Sequence, residues 1–213
     1  MNIVIFGATG FSGRAILQQA LEANHNVTIL VRNRTSIDIQ HHNLTIIEGN
    51  VLDRSTVHQS LQNQEVIIQC LGIGGKGDGK PNTFVSDATS IILDEMKKCN
   101  VKRIIAMSNV GAGDSKSFLP WFFTKIILPY FMKWLQEIID DKNRMEHIIM
   151  RSDVDWTIVR CPNIIDAPEK GKYTATLDGK HLRLSITLGD MASFMIQQIT
   201  DTTYSRKTPS ISN

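Results

Sequence analysis

The stretch that most constrains this chain is Gly7-Ala8-Thr9-Gly10-Phe11-Ser12-Gly13, set directly behind the apolar run Ile3-Val4-Ile5-Phe6. β-branched and aromatic residues, then glycines at i, i+3 and i+6, then an apolar-periodic segment containing Ala15-Ile16-Leu17 and Ala20-Leu21, read as strand, tight turn and helix. A turn this sharp needs glycine, and so does a helix that lies close on its strand. The free N–H groups of the first helical turn, with the positive end of the helix dipole, then form a site for an anion. A turn that merely joined strand to helix would not need three glycines.

That context points to a dinucleotide pyrophosphate, and the end of the second strand bears on which dinucleotide. The strand is expected over Asn26 to Arg32, after a helix from Phe11 to Asn24. A carboxylate about 20 residues past the glycines binds ribose hydroxyls, whereas a basic residue accepts a 2′-phosphate. Here the chain reads Val31-Arg32-Asn33-Arg34, with no carboxylate until Asp38. Guanidiniums make charge-assisted, bidentate bonds to phosphate, so Arg32 and Arg34 favour NADP(H) over NAD(H). The plainer reading is a pair of solvated surface arginines.

Further strands are expected over Leu44 to Glu48, Glu65 to Leu71, Lys102 to Ser108 and Trp156 to Arg160. Between them lie helices over Thr56 to Leu61 (capped from Asp53), Phe84 to Cys99 and Asp140 to Ser152. The alternation predicts one α/β domain over residues 1–213. Its expected form is a Rossmann-type doubly wound parallel sheet of order 3-2-1-4-5-6, with helices on both faces. Two segments, 111–139 and 163–187, read as substrate-side insertions, the second opening a small C-terminal extension. That extension is expected to hold short strands at Tyr173 to Leu177 and Leu182 to Ile186, and a helix from Leu188 to Thr200 capped by the Asp190 turn. The polar residues Ser205 to Asn213 are expected at the surface.

Two stretches invite misreading. Gly74 to Pro81 imitates a phosphate-binding P-loop as far as Lys80, but Pro81 stands where a hydroxyl residue would hold magnesium. A glycine-rich loop over the cofactor is the better expectation. Ser117 to Ile139 is rich in aromatics, yet Lys125, Lys133, Pro120 and Pro129 interrupt it. A spanning helix needs about 20 nearly uncharged residues. Spanning is disfavoured, and a peripheral membrane contact or a partner surface stays open over 117–139.

A formal charge of +2, from 23 basic and 21 acidic residues, gives no reason to expect nucleic acid. Cys70, Cys99 and Cys161 are odd in number and far apart, which fits thiols in a reducing cytoplasm and no metal cluster. The chain enters a strand at once, so no signal peptide is expected. Of the histidines, only His147 and His181 are expected near the pocket, without metal-ligand company.

These residues resemble a known family along nearly the whole chain. The glycine turn, Leu30-Val31-Arg32, Gly49-Asn50-Val51-Leu52-Asp53, Met107-Ser108, Asp155 to Pro162 and Tyr173-Thr174-Ala175-Thr176-Leu177-Asp178-Gly179 carry the likeness. They are similar to the atypical short-chain dehydrogenase/reductases (NmrA-like, NAD(P)-binding), and within these to the biliverdin reductase B / NADPH-flavin reductase group. The resemblance implies that Gly7, Thr9, Gly10, Phe11, Ser12 and Gly13 cradle the pyrophosphate while Arg32 and Arg34 face the 2′-phosphate. It further implies that Asn50 and Val51 flank adenine, that Leu71, Gly72 and Ile73 line the path to the nicotinamide, and that Pro162, Asn163 and Ile164 hold the carboxamide end. Asn163 stands where that group has histidine, and Asn50 where the family more often has aspartate.

The implied activity is NADPH-dependent hydride transfer to a planar conjugated acceptor such as a flavin, bilin or quinone, by a monomer or homodimer. The tyrosine and lysine four positions apart that many short-chain dehydrogenases use are missing, since Tyr130 and Lys133 are three apart. Two residues are the candidates for chemistry. Ser108 sits at the carboxyl end of the fifth strand, where such sheets bind ligands, unless it only satisfies backbone. Lys142 stands where related sequences often carry lysine, unless it is a solvated helix residue. Hydride transfer to a flavin-like ring needs mainly orientation and exclusion of water. The competing expectation is a catalytically weak NADP-binding redox sensor that grips a protein partner through its aromatic segment. An epimerase of nucleotide sugars would want the missing tyrosine and a larger C-terminal domain.

Overall fold

A computed structural model describes residues 1–73 and 80–213. Of the glycine-rich loop expected over the cofactor, Gly74 to Pro81, residues 74–79 lie outside the described residues.

The chain opens with β1 (Asn2–Phe6), α1 (Phe11–Glu22), β2 (Asn26–Val31) and β3 (Leu44–Glu48). Next come α2 (Arg54–Ser60), β4 (Val66–Gln69), α3 (Phe84–Cys99) and β5 (Arg103–Asn109). After a helical segment ending in α4 (Leu128–Phe131) follow α5 (Lys133–Met150), β6 (Asp155–Cys161) and the short strands β7 (Asn163–Ile165), β8 (Thr174–Thr176) and β9 (Ser185–Thr187). The chain closes with α6 (Leu188–Gln197) and β10 (Ser210–Ser212).

The main sheet has the order β3-β2-β1-β4-β5-β6-β10-β8. Its first six strands are parallel, as in a doubly wound Rossmann-type fold, and their register is continuous from Val27↔Leu44 to Ser108↔Arg160. Period-two alternation in each strand supplies two cores. Ile3, Ile5, Ile29, Ile68 and Ile105 face α1 and α6, where Ile16, Leu17, Phe194 and Met195 are buried. Val4, Phe6, Ile67, Ile104 and Ile158 face α2, α3 and α5, meeting Val57, Ile92, Met96 and Met145. Each such side chain contributes about 2 kcal/mol of burial. Asp53 caps α2 by accepting from the Ser55 N–H at 2.9 Å, and left-handed Asn100 (φ +58°) ends α3.

Two expectations need correction. The tail is not surface: Ser210, Ile211 and Ser212 are buried in β10, which runs parallel to β6 and antiparallel to β8. The first five strands leave β6 with a free edge, and covering it satisfies backbone groups whatever the side chains. The Asp190 turn does cap α6, which starts at Leu188 as expected. Thr187 accepts from the Asp190 N–H and donates its hydroxyl to the Asp190 carboxylate, at 3.3 and 2.5 Å, and that buried carboxylate also accepts from the N–H groups of Lys170 and Gly171, at 3.0 and 2.9 Å. Finally, α5 begins at Lys133 rather than Asp140, because the helix breaks at Met132 (φ −128°, ψ 44°) instead of running out among the aromatics. Among the described residues, no helix is long and apolar enough to cross a membrane.

Candidate functional site

The three glycines of the first turn do different things. Gly7 has φ +94°, and a Cβ there would meet the Cys70 carbonyl oxygen at 2.7 Å. At Gly13 a Cβ would lie 2.0 Å from the Gly7 oxygen, so α1 could not rest on its own turn. Around Gly10 the protein leaves room, with the nearest atom to a Cβ at 3.4 Å. Gly10 lines a cavity, and what its missing side chain admits comes from that side.

The cavity encloses about 720 Å³ beyond the carboxyl ends of the strands, where β1 and β4 diverge in connection. Gly7, Thr9, Gly10, Phe11 and Ser12 line it on one side, with Arg32, Asn50 and Val51 beside them. Leu71, Gly72, Ile73 and Lys142 line the other end, together with Met107, Asn109 and Ile138. The N-terminus of α1 meets this space without a capping side chain or an acidic residue in its first turn. Its leading N–H groups and dipole are therefore available to an anion.

Arg32 is exposed at the cavity rim and pairs with nothing among the described residues. Arg34 behaves differently: its guanidinium turns toward β3 (Nη1 to the Ile46 carbonyl, 3.4 Å) and it does not line the cavity. The turn that carries it is pinned by Asn33, whose side chain accepts from the Thr35 N–H at 2.9 Å. In its place Arg14, which sequence reasoning passed over, ties the glycine turn to the loop after β2. It donates to the carbonyls of Thr9 (3.3 Å) and Ser36 (3.0 Å). Asn50 is committed in part, since its Oδ1 accepts from the Leu52 N–H at 3.0 Å, while its Nδ2 has no partner among the described residues.

At the other end Lys142, on α5, is buried, and its Nζ donates to the carbonyls of Leu71 (3.0 Å) and Met107 (2.8 Å). Burial pushes its pKa down to about 8. It is not a solvated helix lysine. Tyr130 and Lys133 are both exposed, so no tyrosine–lysine pair is built.

Ser108 is not brought to the cavity. Strand alternation turns Met107 and Asn109 toward it and Ser108 away, level with Arg160 in the β5–β6 register. Arg160 is buried there, bidentate to Glu146 (3.0 and 2.7 Å) and joined to Asp114. It borders a second hollow of about 660 Å³ that holds His147, so that histidine is also away from the glycine turn. His181 is exposed and does not line the cavity. Pro162 precedes β7, Asn163 and Ile164 lie in it paired with β9, and none of the three lines the cavity. Asn109 and Ile138 were missed because neither belongs to a motif. Asn109 was legible only as the residue one past a strand end.

Fold and cavity together define a Rossmann-type dinucleotide-binding protein. A family model described as NAD(P)H-binding matches residues 7–202. The chain belongs to this NAD(P)H-binding family, in keeping with its resemblance to atypical short-chain dehydrogenase/reductases. Among curated relatives, the photosystem II assembly factor Ycf39 of Synechocystis is 26% identical over 75% of this chain, a match spanning 44% of that protein's length. Among solved structures, the anaerobillin reductase ChuY of Escherichia coli O157:H7 has a TM-score of 0.81 at 20% identity, covering 100% of this chain and 97% of that one. A short-chain dehydrogenase/reductase of Veillonella parvula, solved in complex with NADP, has a TM-score of 0.78 at 19% identity, covering 100% and 94%. At such identities these structures establish the shared fold.

Proposed function

We propose that this chain is an NADPH-dependent oxidoreductase that reduces a planar conjugated acceptor of flavin, bilin or quinone type. The observation that carries this reading is one continuous cavity joining an uncapped glycine-turn helix and an unpaired arginine to a buried lysine. The names of the structural neighbours support it, since one is a reductase and another was solved with NADP.

In this reading the N–H groups of α1 hold the pyrophosphate, Gly10 lets the backbone approach it, and Arg32 takes the 2′-phosphate. Val51 offers adenine an apolar wall and Asn50 an amide donor. NADPH, when bound, supplies the hydride. Leu71, Ile73, Met107 and Ile138 keep water from the reacting end, where orientation and exclusion of solvent do most of what hydride transfer requires. Lys142 holds a proton at Nζ beside that end, with a pKa lowered to about 8 by burial and both carbonyl partners fixed.

Segments 111–139 and 163–187 form the acceptor side. Phe118 of the first packs so closely on Gly179 of the second that a Cβ there would lie 2.6 Å from its ring. The cytoplasm suits the thiols of Cys70 and Cys161, which burial pushes up to about 12 and so keeps unreactive. The test is to mix purified protein with NADPH and FMN, FAD or biliverdin and follow the loss of NADPH absorbance. Turnover well above the free rate supports the reading. Tight NADPH binding without turnover of any flavin, bilin or quinone would make the protein a sensor instead.

A further inference from the structure

The helical segment 121–131 presents an aromatic face that the fold does not use. Trp121, Tyr130 and Phe131 are 71%, 78% and 76% exposed, and Phe122 and Ile126 are exposed beside them. Phe123–Ile127 form a π-helical turn leading into α4, so the outward positions are given by exposure rather than by a four-residue repeat. The segment is nonetheless anchored. Leu128 is buried with Ala112 and Ile139 in a small core of its own, against which Met132 and Leu135 pack. That anchor fixes which residues face outward.

Between Asp114 and Glu137 the charges all have one sign. Residues 115–136 contain Lys116, Lys125 and Lys133 and no carboxylate. All three lysines are exposed, and none has an ion-pair partner among the described residues. We infer that this face docks the protein onto an anionic lipid bilayer, with the aromatic side chains seated among the headgroups and the lysines against lipid phosphates. Tryptophan and tyrosine favour the interfacial zone, where one end of the ring is apolar and the other wet, and each nearby lysine adds attraction to anionic lipid. A second copy fits less well, because a two-fold contact through this face would set lysines against lysines.

The face belongs to segment 111–139, but vesicle binding is read without turnover, so its outcome and that of the reductase test are distinguishable. The docked face is nevertheless close to the cavity: Lys133 begins α5, and Ile138, which lines the cavity, follows about 8 Å along that helix.

Sedimentation of the full chain with vesicles tests it. Vesicles of mixed phosphatidylglycerol and phosphatidylcholine should bind the protein at least tenfold more tightly than pure phosphatidylcholine, and added salt should weaken the binding. Tyr130→Ser with Phe131→Ser should lower that affinity about tenfold, and Lys125→Glu with Lys133→Glu should erase the preference for anionic lipid. All four positions are exposed, so both variants should keep the melting temperature of the parent. Failure to bind either vesicle would overturn the inference, as would equal binding to both. A concentration-dependent dimer that Tyr130→Ser with Phe131→Ser dissolves, in a protein that ignores vesicles, would assign the face to a second copy.

Discussion

A side-chain carbon on Gly13 would lie 2.0 Å from the carbonyl oxygen of Gly7, whereas the same atom on Gly10 would meet nothing closer than 3.4 Å. The two glycines therefore answer to different demands. Gly13→Ala forces backbone against backbone and should cost about 2–3 kcal/mol in urea denaturation. Gly10→Ala should cost about 1 kcal/mol or less, yet weaken NADPH binding at least tenfold. If Gly10→Ala binds NADPH as the parent does, the cavity side of this turn does not hold a phosphate.

Arg32 is the unpaired guanidinium at the cavity rim, while Arg34 leans on β3. Arg32→Asp should reduce affinity for NADPH about 10- to 100-fold and leave NADH nearly untouched, the scale of one charge-assisted bond. Arg34→Ala should have a much smaller effect. Equal losses for the two cofactors on changing Arg32 would remove the 2′-phosphate assignment.

Lys142 links two cavity-lining strand ends from within α5. Because burial lowers its pKa from 10.5 to about 8, the folded protein loses this proton before the unfolded chain does. The unfolded state binds more protons between those values, so stability should rise with pH there and the penalty should be fully present below about 8. Lys142→Met should abolish that rise in thermal melts. If Lys142 donates the proton, kcat/KM should fall as pH climbs through about 8, with a flat profile in Lys142→Met. Coincident profiles for the two proteins would show that Lys142 only braces the loop.

Arg160 and Glu146 make a bidentate pair in the buried layer under the loop at Gly113. Glu146→Ala leaves a buried cation with Asp114 alone and should destabilise by about 3 kcal/mol or more. Arg160→Leu with Glu146→Leu should cost less than the single change. Were the double variant the weaker of the two by calorimetry, the pair would be a net source of stability.

Much of this site is legible in the sequence. The glycine turn, the β-branched strands and Arg32 declare themselves locally, because each is fixed by its own backbone geometry or position at a strand end. The order of the six parallel strands follows from connection rules. What stayed hidden depends on distant partners. Ser-Ile-Ser at 210–212 carries little strand signal and is a strand only because β6 offers an edge. Ser108 looked poised at a strand end, but one step of alternation turned it to the opposite face. Arg34 and Arg32 looked equivalent until a short turn capped by Asn33 directed one away. Arg14 contributes by reaching two loops at once, which no motif records.

The central claim is that the first turn and Arg32 together bind an NADP-type cofactor, and calorimetric titration of the parent protein tests it most directly. The expected result is saturable binding of one NADPH per chain, tighter than NADH by tenfold or more, with the difference lost in Arg32→Asp. No heat of binding and no shift in melting temperature at saturating NADPH would contradict it.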